Sequence, residues 1–160
     1  MKRRKDIEVM TYPHWRVNKT MRCITIRQPW ATLIALGEKR FETRSWRTPY
    51  RGELAIHAGK KLDRASCARE PVRSVLAQHG LTADDLPLGA IIATCILSEC
   101  TETLEVMAES DWPGGHESVF GDYTPGRFAW KLAEVVALKH PIAAQGRLGF
   151  WEYPVLEEEI

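Results

Sequence analysis

The chain has 160 residues, 44% of them hydrophobic and 27% charged, a balance that fits one globular domain and excludes a disordered or fibrous chain. Its apolar runs all fall short of the roughly 18 residues of a membrane span, and the basic start over residues 1–5 leads into Asp6 and Glu8 rather than an apolar signal core. A cytoplasmic protein with no membrane partner is expected.

Residues 1–20 carry a basic cluster without sustained periodicity and read as an N-terminal extension, which places the domain over 21–153 and leaves 154–160 as an acidic tail. Residues 22–27 alternate as a strand, after which Gln28-Pro29 opens a helix through Trp30, Leu33 and Ile34 that stops at Gly37. Residues 39–46 alternate again, with Phe41, Thr43 and Ser45 on one face and Arg40, Glu42, Arg44 and Trp46 on the other. That charged face is expected to stay out of the core. After a turn at 49–52, residues 53–59 form a strand whose Leu54, Ile56 and Ala58 oppose Ala55 and His57. Asp63 or Ser66 caps a following helix that runs to Gly80 with a break at Pro71.

The run LGAIIATCIL at 88–97 reads as a buried strand and 103–109 as a short helix. Residues 111–126, rich in Gly and Pro, read as a long loop, a kind that is usually functional or mobile. Residues 127–138 and 148–153 read as closing strands joined through Pro141 and Gly146. Short strands with a few helices point to an α+β or small-barrel architecture rather than alternating βαβ units.

Charge is distributed unevenly along this order. Residues 16–73 carry fourteen Lys or Arg against five Asp or Glu, whereas residues 74–160 carry four against fourteen. The basic part coincides with a concentration of aromatic residues. Within it Gln28, Trp30, Lys39, Glu42, Arg44, Trp46, Arg51, His57 and Lys60 combine stacking faces, cations and one anion, a mixture suited to bases and phosphates. Arg127 joins the candidate cations. Each position also has a structural reading: Glu42 as an ion pair with its strand neighbours, Trp30 as core, His57 as a partner of backbone, and the cations as surface charge. Trp46, on the charged face, is the better stacking candidate, and Trp130 and Trp151 are assigned to the core. Cys23, Cys67, Cys95 and Cys100 form no C-x-x-C pair, so reduced thiols with no metal site are expected, and no cofactor is assigned.

The segments Gln28-Pro29-Trp30, Gly37-x-Lys39-x-x-Glu42-x-Arg44, Tyr50-Arg51-Gly52, Ile56-His57-Ala58, Gly126-Arg127-Phe128-Ala129-Trp130 and Gly146-x-Leu148-Gly149-Phe150-Trp151 closely resemble the ASCH (activating signal cointegrator homology) domain family. The resemblance implies a small, mostly antiparallel PUA-like β-barrel flanked by helices, with a cleft between the first helix and the barrel. It further implies RNA, DNA or another single-stranded nucleic acid, or a modified nucleoside, as partner. Lys39, Glu42, Arg44 and His57 are then expected to converge on one cleft. Some small members of the family hydrolyse N4-acetylcytidine with a Thr three residues after a Lys, and ribonuclease activity also occurs in the superfamily. Lys39 matches the Lys, but Glu42 occupies the Thr position and Thr43 is expected on the opposite face. If the chain is an enzyme, Lys39, Glu42 and Glu117 are its candidate catalytic residues; a protein-interaction scaffold is the remaining alternative.

Overall fold

The computed structural model describes residues 19–155. Strand β1 (Lys19–Gln28) passes directly into helix α1 (Trp30–Ala35), and Gln28 makes the junction. Its buried side-chain carbonyl accepts from the Thr32 N–H at 2.9 Å, while its amide donates to Thr32 Oγ1 at 2.7 Å and to the Pro87 carbonyl at 2.9 Å. The helix opens at Pro29, which has no side-chain hydrogen bond to offer, so Gln28 satisfies an otherwise orphaned N–H of the first turn.

The chain continues through β2 (Phe41–Arg44), β3 (Gly52–Leu62), α2 (Arg64–Ala68), α3 (Val72–Gln78), β4 (Ala90–Glu102), α4 (Thr103–Ala108), α5 (His116–Val119), β5 (Phe128–Ala143) and β6 (Phe150–Val155). The strands form one six-stranded sheet in the order β2-β5-β4-β3-β1-β6. Strands β1 and β3 run parallel and the other neighbours antiparallel. The fold is therefore α+β, as expected, but its hydrogen-bonded ladder is open between β2 and β6 rather than a closed barrel. Side chains approach across that opening. Trp46 packs edge-on to Trp130 at 4.7 Å and to Phe150 of β6 at 5.4 Å.

One face of β1 and β3 carries Ile24, Ile26, Leu54, Ile56 and Ala58, which pack with Ala31 and Ile34 of α1 and with Leu97 and Trp130. The other side of α1 buries Leu33 against Val72, Val75, Leu76 and Phe120. Burying side chains of this kind contributes about 1.5–3 kcal/mol each, so α1 is held from two sides. Trp130 and Trp151 are buried, in keeping with their core assignment.

Several boundaries differ from the sequence reading. Strands β1 and β6 pair Lys19 with Val155 and Thr20 with Pro154, beyond the expected domain limits at 21 and 153; residues 1–18 and 156–160, the rest of the expected extension and tail, lie outside the described residues. The break expected at Pro71 is present as a division into α2 and α3, the latter ending at Gln78, and of the two expected caps it is Asp63 that accepts from the Ser66 N–H at 3.0 Å. The expected loop 111–126 contains α5. Strand β5 continues past Pro141, where Ile142 and Ala143 still pair with Ile91 and Ala90 of β4.

Candidate nucleic-acid interface

Thr25 pairs with His57 in the parallel β1–β3 register. Because side chains alternate along a strand, those of Thr25 and His57 point away from the face that packs on α1. On that side a cavity of about 550 Å³ opens at the C-terminal ends of the two strands, lined by Thr25, Arg27, Arg44, His57, Gly59, Lys60 and Lys61 and by residues 145–149 of the β5–β6 connection. Among the described residues its walls carry five cations, Arg27, Arg44, Lys60, Lys61 and Arg147, and no carboxylate. A cavity of this sign attracts phosphates.

His57 forms its floor through a directed chain of hydrogen bonds. Its Nε2 lies 2.7 Å from the Ala144 carbonyl oxygen, which only accepts, so Nε2 carries the proton and Nδ1 offers a lone pair. Thr25 Oγ1, 3.1 Å from Nδ1, donates to it, and in turn accepts from Trp151 Nε1–H at 3.0 Å. Burial lowers the His57 pKa, with the bond to Ala144 opposing, so the ring is neutral near pH 7. Gly146 lies flat on this assembly. A Cβ there would stand 2.6 Å from Thr25 Oγ1 and 2.8 Å from His57 Cε1.

Behind Arg44 lies a buried ionic group. Lys39 is 1% exposed; its Nζ donates to the Phe120 carbonyl at 2.5 Å and stands 3.9 Å from Glu42 Oε1. Arg44 Nη2 donates to Glu42 Oε2 at 3.0 Å and to the Thr25 carbonyl at 2.9 Å. The buried Glu117 accepts from the backbone N–H groups of Arg40 at 2.9 Å and Phe41 at 3.0 Å. Burial pushes the Lys39 pKa down, while Glu42 and Glu117 pull it up and Arg44 adds to the lowering. Of the charged face expected to stay out of the core, Glu42 is buried and Arg44 half-buried while Arg40 stays exposed, and pairing with Arg44 and Lys39 offsets the cost of burying Glu42.

A smaller depression of about 330 Å³ is lined by Trp30, Glu42, Thr43 and residues 119–122. Glu42 and Thr43 both line it, and Thr43 Oγ1 accepts from the Asp122 N–H at 3.0 Å. Arg127 is tied to the same loop, with its Nε 3.1 Å from the Asp122 carbonyl and 3.4 Å from a carboxylate oxygen of Asp122.

The expected convergence is therefore divided. Arg44, His57 and Lys60 line the basic cavity, Lys39 and Glu42 stand behind it, and no residue of α1 reaches it. Gln28 is engaged in capping α1, Trp46 is packed between Trp130 and Phe150, and Arg51 donates to the Thr48 and Tyr50 carbonyls at 2.8 Å each. Sequence reasoning did not single out Arg27, Lys61, Gln145 and Arg147 as site residues, nor Leu148 except as part of a motif. The Lys60-Lys61 doublet and the glycines bracketing Arg147-Leu148 were the available signals.

Among the described residues no cluster of His, Cys, Asp and Glu is placed to hold a metal ion, and no helix is long and apolar enough to cross a membrane. The four cysteines are free and buried, and burial raises the thiol pKa of Cys23 and Cys95 to about 12.

The model of the ASCH domain family matches residues 24–141. Activating signal cointegrator 1 from Homo sapiens and its counterpart from Mus musculus are each 35% identical over 81 residues, which is 49% of this chain and 14% of those proteins. The matched stretch is thus a small part of each relative's length. Among solved structures, that of ASCH from Zymomonas mobilis is 16% identical, with a TM-score of 0.49 over 87% of this chain and 90% of that one. A point mutant of that protein gives a TM-score of 0.50 at 16% identity, over 87% of this chain and 92% of its own.

Proposed function

The chain belongs to the ASCH domain family, and from that premise we propose that it binds single-stranded RNA, or a nucleotide-sized piece of it, in the basic cavity at the ends of β1 and β3. The observation that carries this reading is the set of five cations facing one cavity with no carboxylate among its lining residues. A volume of about 550 Å³ lies within the usual range for small-ligand sites, about 300–1,000 Å³. Among the described residues no aromatic ring other than the hydrogen-bonded His57 lines it, so phosphate contacts supply most of the affinity. Backbone-directed binding of this kind tolerates many sequences.

Amide hydrolysis is not favoured by the geometry. Glu42 stands where the hydrolytic pattern has a nucleophilic Thr, and Lys39, at 1% exposure, is directed at the Phe120 carbonyl instead of a solvent-filled site. Glu117 is occupied by two backbone N–H groups.

The test is a titration of the protein with a short single-stranded RNA, cytidine and N4-acetylcytidine, monitoring binding and product together, for the native chain and for Lys60→Ala and Arg147→Ala. RNA binds saturably without shortening, and each substitution weakens it and flattens the log–log salt slope by about 0.7. Absence of RNA binding at low salt, or unchanged affinity in both variants, overturns the reading.

A further inference from the structure

The β5–β6 connection at 144–149 presents side chains that phosphate binding does not require. Leu148 is 99% exposed, yet it lines the basic cavity and is the one large apolar side chain among its lining residues. A leucine this exposed gains nothing from the fold, since apolar surface stabilises only when removed from water. Gln145, also exposed, stands three positions before it in the same wall.

The connection is anchored at both ends. Ala144 donates its N–H to the Gly89 carbonyl at 3.1 Å and its carbonyl accepts from His57 at 2.7 Å. Gly146 is pressed against Thr25 and His57, and Phe150 pairs with Ile24 in the sheet. Leu148 therefore projects from a short, pinned span, with Gly149 in the left-handed region at φ +64° completing the turn.

We propose that Leu148 and Gln145 form the base-reading element of this cavity: Leu148 covers the face of one unpaired nucleobase and Gln145 hydrogen-bonds to its edge, while the neighbouring Lys and Arg side chains hold the flanking phosphates. The inference rests on the RNA-binding reading above and adds the part of the ligand that the cations do not recognise. An unpaired base is the occupant because only a base free of its own stack offers a face to an aliphatic side chain. An amide, with a carbonyl acceptor and an NH₂ donor, matches the mixed donors and acceptors of a base edge. Phosphate or a sugar–phosphate chain alone leaves Leu148 in water.

Two probes separate the terms: an oligouridylate and an abasic ribose–phosphate strand of equal length, titrated against the native chain, Leu148→Ala and Lys60→Ala. Because Leu148 is exposed, its replacement leaves the fold unchanged, which a thermal melt verifies. The native chain binds the oligouridylate more tightly than the abasic strand. Leu148→Ala removes that advantage, about a tenfold loss if most of a leucine side chain is covered, and leaves abasic binding and the salt slope unaltered. Lys60→Ala weakens both strands. If Leu148→Ala changes neither strand, or both equally, the base-reading role is overturned while RNA binding stands. Failure of the native chain to bind either strand overturns both readings.

Discussion

Protonating His57 would place a second N–H at Nδ1, where the Thr25 hydroxyl now donates, and a charge inside a buried site. Its pKa is lowered by that burial, so the unfolded chain takes up a proton at a higher pH than the folded one. The histidine-dependent stability is therefore complete above the unfolded value of about 6.5. It is lost progressively as pH falls from there toward the lower folded value. Urea melts across this window are expected to show a steeper decline for the native chain than for His57→Gln, and parallel curves would contradict the assignment. Gly146 presents the steric counterpart. In Gly146→Ala a methyl would meet Thr25 Oγ1 at 2.6 Å and the imidazole at 2.8–2.9 Å, so a loss of about 1–3 kcal/mol is expected from overpacking. The same melts detect it, and RNA affinity falls with it as the connection shifts.

Among the elements, the four-residue α5 does more than its length implies. Through Glu117 it caps two backbone N–H groups beside β2, one of them that of Phe41, so the segment 111–126 is fastened to the sheet instead of hanging from it. Glu117→Ala leaves both donors without that acceptor, and hydrogen bonds to a charged group are worth about 1.5–3 kcal/mol each. The expected result is a loss of about 3–6 kcal/mol together with faster amide exchange at Arg40 and Phe41; unchanged exchange at those two amides would sever the link drawn here. Trp46 acts between elements in a different way, its ring wedged against Trp130 of β5 and Phe150 of β6. Trp130→Ala, in the core, is expected to lower stability by about 3–5 kcal/mol and the half-buried Trp46→Ala by roughly half as much. A Trp46→Ala protein of native stability that no longer binds RNA would return that ring to the role of stacking platform.

At the scale of the molecule, the two oppositely charged parts of the chain do not simply cancel. The basic part supplies β1, β2 and β3, and with them Arg27, Arg44, Lys60 and Lys61, while Arg147 comes from the acidic part and completes the wall. Arg44 is already paired with Glu42 at 3.0 Å, which leaves four cations of the wall for phosphates. At about −0.7 per single-strand contact, the log–log dependence of RNA affinity on salt should be no steeper than about −3. Fluorescence anisotropy between low and physiological salt measures it. A slope near −5 would require phosphate contacts well outside this cavity and an extended strand path over the surface.

The sequence by itself determined the order of most elements, the two core tryptophans and the family. These depend on information local to a segment: the two-residue alternation that places His57 opposite Ile56, the Gln28-Pro29 helix start, and the motifs that run from Gln28 to Trp151. It also marked Arg44, His57 and Lys60, because they fall within those motifs or beside them. Only the tertiary structure decided which charges are enclosed and which face a common cavity. Alternation assigns Glu42 to a polar face and Lys39 to the opposite one, and is silent on the Phe120 carbonyl, eighty-one residues away from Lys39, that makes the burial of Lys39 tolerable. Arg147 and Leu148 join Arg27 because β6 returns to pair with β1, bringing the connection before it over His57. That proximity follows from the parallel pairing of β1 with β3 and the antiparallel pairing of β1 with β6, contacts between segments distant in sequence that no local pattern encodes.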